Sequence, residues 1–184
     1  LGHSFGSLVV SNAISKGMRC RGVVLQNPIT TRSSDQRDFA NSLARGFYHL
    51  APKLGSVGSA LLRSWVIVRG MSVAMTTTWN LGLRSWIHDQ HARHFSCYLS
   101  DRVALEGFEA ASGGNVLDYA THFNTNVLLI AGEKDSIAPL PNQILASNLI
   151  ASAELRTIPK VGHLTHYETP GEVARLIDEF VGKL

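Results

Sequence analysis

The sequence predicts an α/β fold in which a parallel sheet is flanked by helices, and three observations carry that prediction. Short apolar, β-branched runs at 22–28 and 126–132, with a third strand read at 154–159, recur along the chain. Segments of helical periodicity alternate with them, as parallel crossover connections require. One long helical stretch, from about Ser33 to Gly114, interrupts the alternation and reads as an insertion.

The elements follow in order. Leu8 through Ile14 reads as a buried helix closed by Lys16-Gly17, since glycine readily takes the left-handed conformation that ends a helix. Gly22-Val23-Val24-Leu25-Gln26-Asn27-Pro28 reads as a buried strand stopped by proline. In the insertion, Phe39, Leu43, Phe47 and Leu50 fall at helical spacing, as do Ala92, Phe95 and Leu99. Trp65-Val66-Ile67-Val68 is the one strand-like stretch there. A second strand is predicted at Asn126–Gly132, a helix from about Pro141 to Ile150, and a third strand at Glu154–Pro159. The last helix begins on a capping-box pattern of Thr169, Pro170 and Glu172, with an apolar stripe of Val173, Leu176, Ile177, Phe180 and Val181. The expected division is therefore core residues 1–32, insertion 33–118 and core residues 119–184.

Composition bounds the function. The 184 residues are 45% hydrophobic and 17% charged, the balance of a globular chain that buries a sizeable core. Seventeen Lys and Arg against 14 Asp and Glu leave a net charge of +3 without a basic run, so no nucleic-acid partner is expected. No stretch reaches the roughly 18 uncharged apolar residues of a membrane span. Cys20 and Cys97 form no CxxC pattern and read as reduced thiols, which suggests a cytoplasmic location. The chain begins at Leu1 inside a motif and reads as N-terminally truncated.

Three motifs carry chemistry. In Gly2-His3-Ser4-Phe5-Gly6, a serine sits on a strand-to-helix turn where two glycines leave room for a strained backbone. A serine hydroxyl is a poor nucleophile until a base activates it. The Phe5 N–H, at the helix N-terminus, is placed to donate to a developing oxyanion. Asp135, in Gly132-Glu133-Lys134-Asp135, follows a buried strand, where a carboxylate can orient a histidine; Glu133 and Asp118 are its rivals. His163, in Val161-Gly162-His163, follows the next strand and is placed as general base and then acid, with His166 the competitor. Gly162 is read as allowing the tight turn that brings the imidazole back over the sheet. His3 and His166 are read as packing residues. Serine, aspartate and histidine thus come in that order, each beyond a strand whose C-terminal end opens on one crevice.

On these residues the chain resembles the α/β-hydrolases, the large family of esterases, lactonases, C–C bond hydrolases, perhydrolases and lipases. The resemblance rests on Leu1–Ser7, Val127–Pro139 and Ile158–Pro170 and extends along roughly 1–32 and 119–184. It implies the C-terminal part of a three-layer α/β sandwich, with the insertion as a helical cap over the active site. It further implies Ser4 as nucleophile, Asp135 as acid, His163 as base, Phe5 N–H as one oxyanion donor, and no metal or organic cofactor. Serine at the elbow, rather than the aspartate of epoxide- and halide-processing relatives, implies an acyl-enzyme. The expected reaction is cleavage of a small, fairly apolar carboxylester, thioester or lactone. A C–C bond hydrolase, an acyltransferase and a non-catalytic ligand receptor are the alternatives. With only the last three strands of the sheet expected, this segment alone should be poorly stable and nearly inactive.

Two features of the insertion complete the reading. His88, His91 and His94 form an HxxHxxH run that suits a polar cap face better than a metal site, since no fourth ligand is apparent. Trp65, Trp79 and Trp86, with Met71 and Met75, read as cap core rather than as substrate contacts.

Overall fold

The computed structural model describes residues 1–31, 46, 50–62, 64–95, 97 and 99–184. It falls into two compact units, Leu1–Thr31 with Gly114–Leu184, and Arg32–Gly113. Phe39, Leu43 and Phe47 lie outside the described residues.

The first unit is built on a parallel sheet of β1 (Gly2–His3), β2 (Gly22–Gln26), β3 (Asn126–Gly132) and β4 (Ala153–Ile158), in that spatial order. Period-two alternation sends its side chains to two cores. Val23, Leu25, Val127 and Leu129 pack on one face with Leu8, Val116, Phe123, Ala146 and Ile150. Val24, Leu128, Ile130 and Ile158 pack on the other with Val161, Val173, Leu176 and Phe180. Helices α1 (Phe5–Ser15) and, further along the chain, Leu140–Leu149 supply the first face, and Pro170–Val181 the second. This is the three-layer arrangement predicted. It explains why β2 and β3 read as continuous apolar runs: both faces are covered.

The sheet has four strands rather than the three expected. The stub β1 pairs Gly2 with Leu25 and His3 with Gln26. Two residues are too few to leave a periodic signal. The end of α1 follows its prediction. Gly17 has φ +94, its N–H donates to Ile14 O at 2.9 Å, and Met18 N–H donates to Ala13 O at 3.0 Å. Those two bonds satisfy carbonyls that the last turn would otherwise leave open.

Among the described residues, the second unit contains a 3-10 turn (Ala51–Leu54), α2 (Gly55–Leu62), α3 (Trp65–Met75), α4 (Leu81–His94) and α5 (Asp101–Gly113). The strand-like Trp65–Val68 is the first turn of α3. Val68 and Ser72, four residues apart, are buried on one helical face, and that packing outweighs the β propensity of Val66, Ile67 and Val68. The polar face expected for the histidine run is also corrected. His88 and His91 are buried, and their Nδ1 atoms lie 2.6 and 2.7 Å from the same Ser72 Oγ, whereas His94 is exposed. One hydroxyl has one proton and two lone pairs, so it can serve the Nδ1 atoms of both imidazoles. The tryptophans are not core: Trp65 and Trp79 are 74% and 91% exposed, and Trp86 is half exposed.

The chain then passes through a 3-10 segment (Val116–His122) into β3, and after β3 through α6 (Leu140–Leu149), β4 and α7 (Thr165–Glu168) to α8 (Pro170–Val181). The capping box predicted for α8 does not form. The Thr169 hydroxyl donates back to Thr165 O at 3.0 Å, and Glu172 pairs with Arg175 at 2.6 Å. The short α7 helix ends directly against α8 and takes the hydroxyl first. Pro170 does open α8, and Val173, Leu176 and Phe180 are buried as its stripe requires, while Val181 is 55% exposed.

Candidate active site

Ser4 stands between β1 and α1 with φ 48 and ψ −118, a conformation that non-glycine residues avoid. Such a residue costs on the order of 1–3 kcal/mol and persists only where its surroundings fix it. Here Ser4 N–H extends the ladder to Gln26 O at 3.0 Å, and its carbonyl accepts from Ser7 N–H at 2.9 Å and Ser7 Oγ at 2.5 Å. Ser7 Oγ in turn accepts from Ile29 N–H at 3.2 Å.

The two glycines of the motif do different things. A Cβ on Gly2 would lie 2.3 Å from Gly6 O, so Gly2 is what lets the first turn of α1 fold back on β1. A Cβ on Gly6 would meet nothing within 4 Å. The room expected from both glycines is therefore needed at Gly2 alone, because Gly6 contributes its backbone to the close approach and its missing side chain points away.

Asp135 and His163 are brought together by a second close approach. Gly132 ends β3, and a Cβ there would lie 2.1 Å from Gly162 O and 2.6 Å from Val161 O. Lys134 N–H donates to Val161 O at 2.8 Å and Glu133 N–H to Ile158 O at 3.0 Å, tying the two loops. The turn attributed to Gly162 belongs instead to Lys160, which has φ 64. Its N–H donates to Glu133 Oε2 at 2.8 Å, so Glu133 holds this turn. Asp118, the other rival, lies in the 3-10 segment.

The structure places Ser4, His163 and Asp135 in one chain of hydrogen bonds. Ser4 Oγ lies 2.8 Å from His163 Nε2, and His163 Nδ1 lies 2.7 Å from Asp135 Oδ2. Both His163 and Asp135 are buried. Asp135 Oδ1 accepts from Ile137 N–H at 2.8 Å and Ala138 N–H at 2.9 Å. Burial alone would raise the Asp135 carboxyl, but His163, the Ala138 N–H and Asn27 together hold it below the usual carboxylate range. An ionised Asp135 accepts only, so His163 carries its proton on Nδ1 and offers Nε2 to the Ser4 hydroxyl.

Sequence reasoning missed the layer behind Asp135. Asn27, fully buried with φ 43, donates to Asp135 Oδ2 at 2.8 Å, and its Oδ1 accepts from Thr165 Oγ1 at 2.8 Å. Gln26 donates to the same Thr165 Oγ1 at 2.5 Å. The available signal was Asn27 itself, a residue that tolerates the left-handed region, standing at a strand end directly before proline. Asn27→Asp puts a second carboxylate against Asp135. Losing a hydrogen bond to a charged group is worth about 1.5–3 kcal/mol, so kcat/KM is expected to fall roughly 10- to 100-fold. The acidic limb of the pH–rate profile should move upward as Asp135 becomes harder to ionise; an unmoved limb would contradict the positioning role.

His3 packs behind the elbow. Its Nε2–H donates to His163 O at 2.9 Å, and its ring lies 4.4 Å from that of His166. Burial first, then the neighbouring His163, lowers His3 to about 3, and the same two causes lower His166. In the unfolded chain both titrate near 6.5, so below that pH the unfolded state takes up protons that the folded state refuses. Stability is therefore expected to fall as pH drops from 6.5 toward 3, His3 alone accounting for about 2 kcal/mol by pH 5. Melting temperature against pH checks this, and His3→Gln should flatten the slope.

Comparison with known proteins identifies the family and the fold. A model of the Alpha/beta hydrolase family matches residues 1–176, and the chain belongs to that family. An alpha/beta hydrolase domain-containing protein of Arabidopsis thaliana, VTE7, is 36% identical over 84 residues, which are 44% of this chain and 25% of that protein. Among solved structures, an esterase from Exiguobacterium antarcticum matches with TM-score 0.75 at 13% identity, over 98% of this chain and 65% of its own. A thermophilic esterase from Thermogutta terrifontis matches with TM-score 0.75 at 19% identity, over 99% of this chain and 63% of its own. The chain thus spans less than two thirds of the length of these structures. Among the described residues, no helix is long and apolar enough to cross a membrane, and no group of three or more His, Cys, Asp and Glu could hold a metal ion.

Proposed function

We propose that this chain carries the nucleophile, base and acid of a serine hydrolase that cleaves a small, fairly apolar carboxylester, thioester or lactone. The observation that carries the reading is the hydrogen-bonded run from Ser4 Oγ through His163 to Asp135 Oδ2, at 2.8 and 2.7 Å. His163 Nε2 takes the Ser4 proton as Oγ attacks the acyl carbon, and Asp135 stabilises the imidazolium that forms. The Phe5 N–H, in the first turn of α1 with no preceding helical carbonyl to bond, donates to the oxyanion. Collapse expels the alcohol or thiol, which leaves with the proton held on His163. Water, activated by the same imidazole, then hydrolyses the acyl-enzyme. The esterases among the structural neighbours support an ester-type substrate. The helical insertion is proposed to serve as the cap. Free Cys20 and Cys97 accord with a reducing, cytoplasmic compartment.

A chromogenic short-chain ester is expected to give a burst of alcohol before steady turnover in the complete protein; no burst and no turnover would defeat the reading. Added alcohol acceptor distinguishes transfer from hydrolysis by its product. For this 184-residue segment alone, low turnover and a low melting temperature are expected. Its β1 spans only Leu25 and Gln26 of β2 and leaves the rest of that edge without a β1 partner. A cooperative melt with full turnover would contradict that expectation.

A further inference from the structure

A groove of about 450 Å³ lies at the other end of the strands from Ser4, within the first unit. Its position follows from the topology. After Gly17 ends α1, residues Met18–Arg21 lead into Gly22 of β2, and Phe123–Thr125 lead into Asn126 of β3, its register partner. The two connectors run side by side and are tied where they meet the sheet, Thr125 Oγ1 donating to Arg21 O at 2.7 Å; the loop before β4 holds Thr125 in turn, Ser152 Oγ donating to Thr125 O at 2.6 Å. The groove is the space left between them. β2 runs from it to Gln26, the acceptor of Ser4 N–H, so about 13 Å of strand separates the groove from the serine.

Its lining combines two chemistries. Ile14 and Met18 give it an apolar wall, with Met18 46% exposed. Arg19, His122 and Asn124 give it donors, and among the described residues no carboxylate lines it. Cys20, an exposed free thiol, opens into it. The volume is that of small-molecule sites, which pair an apolar wall with a few polar groups that fix orientation. Guanidinium is the side chain best suited to hold a carboxylate in two parallel hydrogen bonds.

We infer that this groove binds a small amphiphilic carboxylate, its chain along Ile14 and Met18 and its head group on Arg19. The inference does not depend on the proposed hydrolysis. Cys20 reports occupancy directly, and Cys97, exposed in the other unit, serves as the internal control. The full chain is alkylated with N-ethylmaleimide with and without sodium octanoate, and each cysteine is followed by peptide mass mapping. At octanoate about four times its dissociation constant, Cys20 alkylation is expected to slow about fivefold, since the free fraction is 1/(1 + [L]/Kd). Cys97 should be unaffected, and 1-octanol at the same concentration should give no protection. Arg19→Gln and Arg19→Glu, both at an exposed position, should lose the protection while keeping the near-ultraviolet circular dichroism of the parent. No slowing at Cys20, equal slowing at both cysteines, equal protection by octanol, or full protection in both variants would each overturn the inference.

Discussion

Replacing Ser4 by alanine is expected to abolish the burst and lower kcat by about 10⁴-fold or more, the scale seen when a triad nucleophile is removed. The fold should survive. The Ser4 hydroxyl bonds to His163, while the elbow itself is held by backbone bonds to Gln26 and Ser7 that alanine keeps. Ser4→Gly should be as inactive but more stable, by about 1 kcal/mol, because glycine accepts φ 48 without the Cβ penalty. Stopped-flow ester kinetics and thermal melts of the three proteins separate the two effects. A Ser4→Ala variant with an unchanged burst would remove the nucleophile from the account.

Gly132→Ala is expected to damage both stability and activity. Its new methyl would meet Gly162 O at 2.1 Å and Val161 O at 2.6 Å, backbone atoms that cannot swing aside as a side-chain tip can. The loop leading to His163 must shift, and overpacking of this kind typically costs about 1–3 kcal/mol. A displacement near 1 Å is also enough to cost about 100-fold in rate where reacting groups must be aligned. Gly6→Ala is the control. Its methyl meets nothing within 4 Å, and alanine suits a helix better than glycine, so the melting temperature should hold or rise slightly. Differential scanning calorimetry with ester kinetics on both variants checks the pair; equal tolerance of both would refute the steric argument.

The parts of this molecule legible in its sequence are those with a local cause. β2 and β3 announce themselves because strands covered on both faces are continuously apolar. The end of α1 is legible in Gly17, whose φ of +94 only glycine adopts easily. Ser4, Asp135 and His163 are picked out because each follows a strand in a parallel sheet, and the structure brings their side chains within hydrogen-bond distance. What the sequence hides is decided by partners far along the chain. Asn27 reads as a strand end, and only the distant Asp135 and Thr165 make it part of the site. His88 and His91 read as a polar face because nothing local reveals Ser72, 16 and 19 residues earlier. Thr169 reads as a helix cap until the helix before it claims the hydroxyl. At the elbow the pattern shows two glycines but not which one the backbone needs, since that depends on where each Cβ would point.

The central claim is that Ser4 is activated by the His163–Asp135 pair. The most direct measurement is peptide mapping of the protein after reaction with a fluorophosphonate. One adduct is expected, on Ser4, lost in His163→Ala and strongly slowed in Asp135→Asn. An adduct on another serine, or labelling of Ser4 at the same rate in both variants, would contradict it.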